Sequence, residues 1–301
     1  MRHLCLFIVI ITSLFSHNSL LAHGKPNSEI DFAVAKVTDN IHMLMGVNGF
    51  TGGNIAILTG EDGVIMIDDS MPPLADKLKA AIKQVTDQPV DFLINTHIHG
   101  DHTGNNALFG ESGTWIVGHE NLRKHFLEKG VAGKDGNVPA PKAALPVITF
   151  PDQMNFHLNN MTAKIIHQAR AHTSGDAFIH YQEANVIHTG DILFNELFPY
   201  IDIASGGSID GFIDAQKYIL SLADDKTKII PGHGKLANKT DLQASIDMLE
   251  DSKSIIGALK KQGLTEDQVV EKNPLQKYHD VWNWGFITTE RMTRQMYKGL
   301  K

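Results

Sequence analysis

Hydrophobic and polar positions change their period several times along the chain, and each change marks an element. From Asp31 the runs FAVAKV, NIHMLMGV, NIAILTG and GVIMID are β-branched or alternate apolar with polar residues, split by Asp, Asn and Gly turn signals. An antiparallel meander should therefore open the fold. The stretch PPLADKLKAAIKQV then spaces Leu74, Leu78, Ile82 and Val85 at helical intervals, and VDFLIN, Val90 to Asn95, reads as a buried strand after that helix. TWIVG reads as a further strand and ENLRKHFLEK as a helix, with residues 131–146, rich in Gly, Pro and Ala, as a loose connection.

The second half repeats this order. VITF, MTAKIIH, DAFIHY and NVIHTG read as strands, GFIDAQKYILSLA as a helix and KIIPG as a last strand. Two strand-rich halves, each followed by helix, predict an α/β fold arranged as a four-layer αββα sandwich. Beyond Lys239 the pattern is helical, with Leu242, Ile246 and Leu249 on one stripe and a further helix near Thr288 to Tyr297. The expected organisation is an N-terminal segment over 1–22, a main domain over 23–238 and a helical extension over 239–301 packed on it.

The N-terminal segment, MRHLCLFIVIITSLFSHNSLLAHG, sets Arg2 ahead of an apolar run from Leu4 to Phe15 and places a small residue at Ala22. This is the pattern of an export signal peptide. The run is shorter than the roughly 20 residues a membrane-spanning helix needs. The expectation is a periplasmic or secreted chain that starts near His23, with no membrane span once the signal is gone; a retained membrane anchor is the alternative. Cys5 is the only cysteine and lies in this segment, so the remaining chain would have neither a disulfide nor a thiolate metal ligand.

A composition of 42% hydrophobic and 20% charged residues is ordinary for a globular protein. The formal charge of -7 becomes -8 when Arg2 is removed, since residues 1–22 hold no acidic residue. With no basic tract anywhere, nucleic acid is not an expected partner, and a small-molecule substrate is.

The chemistry concentrates in FLINTHIHGDHTGN, where a buried strand runs into a loop bearing His97, His99, Asp101 and His102. Imidazole nitrogens and carboxylates are donors that zinc takes at roughly 2.0 to 2.2 Å, and a loop at a strand end can aim neighbouring side chains at adjacent ions. Further donors stand at the ends of later strands: His172 in ARAHTSGD, Asp191 in VIHTGDILF and His233 in IIPGHGK.

The motifs HIHGDH, AHTSGD, HTGD and PGHG, in this order, resemble those of the metallo-β-lactamase superfamily, from about Asp31 to Lys235. The resemblance implies two zinc ions per chain. His97, His99 and His172 would hold one, Asp101, His102 and His233 the other, and Asp191 would bridge them. This set is similar to that of glyoxalase II and the lactonases, and unlike that of lactamases with a cysteine where Asp191 falls. It implies a dinuclear zinc hydrolase whose metal-bound hydroxide opens a cyclic amide or ester, with Asp101 orienting the water and passing on its proton.

A β-lactam heads the expected substrates because the chain is expected to be exported. A lactone or thioester is the alternative, and a non-catalytic zinc-binding protein is the alternative of another class. Cysteine-using lactamases place a lysine three residues after the second-metal ligand to hold the substrate carboxylate; here that place holds Phe194, and the charge-assisted contact is missing. A bulky apolar pocket would favour lactones, and a cationic clamp a carboxylated lactam.

Asp68 and Asp69, at the end of GVIMIDD, read equally as acceptors of the free N–H of a ligating histidine or as surface carboxylates. Phe50, in the glycine-rich turn GVNGFTGGN, is expected to act as an apolar lid, with an exposed turn aromatic as the alternative. Phe194, Phe198 and Tyr200 read equally as pocket wall or core. His42, His119, His125, His157, His167, His180, His188 and His279 fall outside the ligand pattern and read as ordinary surface or core residues.

Overall fold

Side chains along each strand alternate between a face that meets a second sheet and a face that meets helices, and this alternation builds the layers. The computed structural model describes residues 29–133 and 135–300; the expected export signal and Cys5 lie outside them. Strands β1 (Asp31–Lys36), β2 (Ile41–Val47), β3 (Ile55–Leu58) and β4 (Ile65–Ile67) form the antiparallel meander. Helix α1 (Ala75–Val85) crosses to β5 (Phe92–Ile94), which runs parallel to β4. A loop with two short helices, α2 (Gly100–Thr103) and α3 (Asn106–Glu111), leads to β6 (Trp115–His119), also parallel. After α4 (Glu120–Lys129) come a small hairpin, β7 (Val131–Gly133) and β8 (Gly136–Val138), and then β9 (Ile148–Phe150), which closes a seven-stranded sheet of order β1-β2-β3-β4-β5-β6-β9.

The second sheet is β10 (Gln153–Leu158), β11 (Met161–Gln168), β12 (Asp176–Tyr181), β13 (Val186–His188) and β14 (Lys228–Ile230), in that order. The last of these follows α5 (Ile209–Leu222) and runs parallel to β13. Helices α6 (Lys239–Lys261), α7 (Glu266–Glu271), α8 (His279–Trp282) and α9 (Thr289–Gly299) complete the described chain. Among the described residues no helix is long and apolar enough to cross a membrane.

Ile65, Ile67 and Ile94 of the first sheet face Ile165, Ile179 and Ile230 of the second across a dry core. The opposite face of the first sheet, with Met66 and Leu93, takes Leu78 and Ile82 of α1. Behind the second sheet, Phe178 and Ile229 take Ile219 of α5 and Ile246 of α6. The four-layer αββα sandwich is therefore present as expected. Three elements differ from the expectation. Residues 131–146 contain a hairpin, α3 interrupts the histidine loop, and QMNFHL is the edge strand β10. Met154, Phe156 and Leu158 of β10 alternate with Gln153, Asn155 and His157 and turn toward the core, so the pattern of this short edge strand does signal it.

The expected boundary at residue 239 coincides with the start of α6, where Asn238 and Asp241 form a reciprocal capping box. It is not a seam. Leu242 and Ile246 of α6 belong to the sandwich, whereas Met248, Leu249 and Ile256 pack with Phe198, Phe212 and Met296 in a separate C-terminal core. One helix thus carries rigidity from the sandwich into the extension.

Candidate metal centre

Strands β4, β5, β13 and β14 run parallel in two pairs, and the loops that follow their C-terminal ends meet at one edge of the sandwich. Crevices outside such strand ends are where open α/β sheets place their ligands. The register Ile67↔Ile94 sets Asp68 beside Thr96, and Asp68 takes up a left-handed backbone, φ 60°. Its carboxylate accepts the Thr96 N–H and hydroxyl, both at 2.8 Å, and reaches His102 Nδ1 at 2.7 Å. Of the two readings, Asp68 thereby takes the one that supports a candidate ligand. Asp69 does not: its carboxylate accepts the Asn105 N–H at 3.0 Å, while its carbonyl accepts Asn105 Nδ2 at 2.6 Å. Burial, with the Asp68 charge alongside, raises its pKa well above the usual carboxylate range. Its work is to hold the histidine loop, not a histidine ring.

The seven side chains singled out from the sequence converge in two clusters: His97, His99, His172 and Asp191, and Asp101, His102 and His233. In the first, His99 Nδ1 stands 3.2 Å from His97 Nε2 and 2.9 Å from His172 Nε2, with Asp191 Oδ2 3.4 Å from His172 Nε2. In the second, Asp101 Oδ2 lies 3.6 Å from His102 Nε2 and 3.4 Å from His233 Nε2. Asp191 turns its other oxygen, Oδ1, to this cluster, 3.1 Å from His102 Nε2 and 3.4 Å from His233 Nε2. One carboxylate faces both groups, one oxygen to each.

These spacings fit metal ions. Ligand bonds of about 2.1 Å in a tetrahedron put donor atoms about 3.4 Å apart along each edge. Asp191 Oδ1 is buried without a hydrogen-bond partner, an arrangement that is costly unless a cation satisfies it. Burial and the neighbouring His102 charge hold His97 well below the usual imidazole pKa, and burial brings His172 down to about 4, so both rings offer lone pairs at neutral pH. His233 behaves oppositely: burial works against its charge, but Asp191 and Asp101 outweigh it and raise the ring to about 9. Burial also opposes charge on Asp101, yet His102 and His233 prevail and hold it near 2. Cations entering the second cluster must displace protons that these acids hold on the imidazoles.

A further layer of support was not visible in the sequence. His99 Nε2 donates to Asp202 Oδ2 at 3.0 Å, and His172 Nδ1 donates to the Tyr200 carbonyl at 2.8 Å. The segment that carries both acceptors is held from α9: Gln295 accepts the Ile201 N–H at 2.9 Å and donates to the Pro199 carbonyl at 3.0 Å. Across the sandwich, Asn54 Nδ2 donates to the carbonyls of Pro231 and Gly234, both at 2.9 Å, and so fixes the turn that bears His233. An aspartate, a glutamine and an asparagine in ordinary loop or helix sequence carry no spacing signal.

Of the other histidines, His188 is buried between the Asn54 carbonyl and the Gly190 N–H, and His119 stacks on His167 at 3.7 Å with each ring bonded to backbone. They are satisfied structural residues, as read.

Above the clusters opens a cavity of about 920 Å³. His99, Asp101, Asp191 and His233 form its floor, and Phe50, Phe194, Tyr200, Trp284 and Phe286 its aromatic wall. Phe50 is half exposed and stacks on His233 at 5.7 Å, a position that suits a lid. Phe194 also stacks on His233, at 5.0 Å, and is buried. Phe198 belongs to the C-terminal core instead. Trp284 and Phe286 come from the extension, which therefore helps to shape the cavity.

A family model described as the metallo-beta-lactamase superfamily matches residues 48–233, more than half of the chain. The hydroxyacylglutathione hydrolase of Polaromonas sp. is 24% identical over 194 residues, which are 64% of this chain and 65% of that protein. The first curated relatives are matched over 37% to 65% of their own lengths. Among solved structures, a metallo-beta-lactamase from Pontibacter korlensis aligns with a TM-score of 0.60 at 16% identity, covering 73% of this chain and 99% of that one. The stereoselective inverting sec-alkylsulfatase Pisa1 from Pseudomonas sp. aligns with a TM-score of 0.67 at 15% identity, covering 89% of this chain and 50% of that one. That coverage is larger than residues 1–238 alone can provide, so the likeness in fold reaches into the C-terminal helices.

Proposed function

Because the chain belongs to the metallo-β-lactamase superfamily, we propose that it is a dinuclear zinc hydrolase that cleaves an ester, lactone or thioester bearing a bulky apolar group. The observation that carries this reading is Asp191, whose two oxygens face separate clusters of donors. Five imidazoles and two carboxylates without a thiolate suit zinc. His97, His99 and His172 would hold one ion, Asp101, His102 and His233 the other, with Asp191 shared. Two such ions, when bound, supply water acidified toward neutral pH and polarise an acyl oxygen.

The chain's own residues do the rest. Asp101 is ionised, and its side chain is about a quarter exposed at the cavity floor, 24%. It can orient a water and take its proton. The aromatic wall excludes solvent and seats an apolar acyl or alkoxy group against the floor. Asp68, Asp202 and the Tyr200 carbonyl keep three rings aimed, so that little reorganisation is needed during turnover.

The same wall changes the order of substrates. Phe194 is packed among His172, His233 and Trp284; among the described residues that line the cavity there is no lysine, and the one arginine, Arg291, sits against Phe286 on the wall and not in the place of Phe194. This supports an apolar ester or lactone ahead of a β-lactam. An exported, periplasmic or secreted location stays part of the proposal on the strength of the N-terminal pattern. The test is turnover by purified, metal-analysed protein of an aryl ester, an acyl-lactone, a thioester and a chromogenic cephalosporin, each with and without chelator. Chelator-sensitive cleavage of the ester or lactone is expected. Cleavage of the cephalosporin alone would reverse the order, and cleavage of none would remove the hydrolytic reading.

A further inference from the structure

Among the described residues, the cavity wall holds no lysine and one arginine, Arg291. It lies in the first turn of α9, is exposed, and is fixed in two ways. Its guanidinium carbon sits 4.7 Å from the centre of the Phe286 ring, and its Nη1 donates to the Phe286 carbonyl. These two contacts use the face of the guanidinium and one of its five N–H donors. Among the described residues no carboxylate pairs with it. One turn further on, Arg294 is wholly different: Glu266, Asp267 and Glu290 all bind it. In a chain with 34 acidic and 27 basic residues, a held arginine without an acidic partner, beside an aromatic cavity, has its donors ready for an anion from elsewhere.

A run of ring contacts links it to the floor. The His99 ring lies 5.9 Å from Tyr200, Tyr200 lies 5.6 Å from Phe286, and Phe286 carries Arg291. Two aromatic rings thus separate a floor residue from the guanidinium. A molecule whose scissile acyl group rests on the floor would meet Tyr200 and Phe286 along its apolar body and Arg291 at its far end. We propose that Arg291 selects substrates that carry an oxyanion, such as a carboxylate, at the end of the apolar body remote from the bond that is cleaved. This rests on the hydrolytic reading above for the identity of the bond, but not for the binding of the anion. A planar guanidinium favours two-point contact with an oxyanion, and the aromatic surroundings strengthen that contact by limiting solvent.

The test compares 4-nitrophenyl decanoate with mono-4-nitrophenyl sebacate, which differ by the terminal carboxylate and have chains long enough to pass two aromatic rings. The ratio of their kcat/KM values is measured in wild type, Arg291→Ala and Arg291→Lys. Removing a charge-assisted pair should lower the preference for the acidic ester about 10- to 100-fold in Arg291→Ala, and less in Arg291→Lys, which keeps the charge but loses the fork. Because the ratio is taken within one protein, partial misfolding cancels. In parallel, tryptophan fluorescence follows the binding of 6-phenylhexanoate and 6-phenylhexanol, and the acid should bind the better, in an Arg291-dependent way. If neither ester is cleaved while this binding preference persists, the hydrolytic reading fails and the anion site stands. A ratio that Arg291→Ala leaves unchanged in both experiments, or a wild type without preference for the acid, would overturn the proposal.

Discussion

Asp68 and His102, both wholly buried, meet at 2.7 Å between a carboxylate oxygen and Nδ1. The contact fixes the tautomer and aim of the ring and leaves Nε2 facing the second cluster. Replacing Asp68 with Asn removes the charge while keeping the shape. On the dinuclear reading proposed above, affinity for one of the two metal equivalents should fall about 10- to 100-fold, read by competition with a chromogenic chelator. Two equivalents bound as tightly as in wild type would show that the pair does not tune the ligand.

Gln295 acts at a distance, through the backbone that carries Tyr200 and Asp202. Gln295→Ala should weaken the first cluster's affinity for metal while costing about 1 to 2 kcal/mol of stability from the two lost hydrogen bonds. A drop in melting temperature with metal affinity unchanged would mean that the glutamine only braces the helix.

Asp176 accepts the Thr173 N–H and hydroxyl, both at 2.6 Å, next to His172 in sequence. Burial raises its pKa from 3.8 to about 7. A group raised on folding stabilises fully below its unfolded pKa and loses that contribution as pH climbs through the folded one. The chelator-treated wild type should therefore lose stability relative to Asp176→Asn between about pH 4 and pH 7, by up to roughly 4 kcal/mol at 1.36 kcal/mol per unit. Denaturant titrations at pH 4.5 and pH 7.5 would measure it; a constant difference between the two proteins contradicts the assignment.

Phe194→Lys restores the residue found in cysteine-using lactamases, yet here it would place an ammonium among packed rings. Phe194 is only 2% exposed. The substitution should cost about 3 to 5 kcal/mol, as for a buried charge without a partner, and should yield no gain in cephalosporin turnover. A stable variant with such a gain would show that the loop can swing the side chain into the cavity.

What the sequence made legible follows from how locally each feature is encoded. His97, His99, Asp101 and His102 crowd one loop, and His172, Asp191 and His233 each follow an apolar run, so position and chemistry could be read together. Strands set off by turn signals were equally plain, whereas β10, a short edge strand that follows β9 almost directly, was not, although Met154, Phe156 and Leu158 alternate along it. Asp202, Gln295 and Asn54 act through partners distant in the chain; Asn54 and Pro231, for example, are 177 positions apart. Such residues gain their roles only when the two sheets and the C-terminal helices come together. Asp69 shows the reverse. Its place beside Asp68 suggested the same role, but the left-handed turn at Asp68 sends the next side chain toward Asn105.

The division of donors between the halves has a mechanical consequence. His97, His99, Asp101 and His102 hang from the first sheet, and His172, Asp191 and His233 from the second, so bound ions rivet one to the other at a single rim. Pulled apart in a force experiment, a loaded molecule should rupture in one high-force event, while a stripped molecule should open first at that rim, like a book released from its clasp.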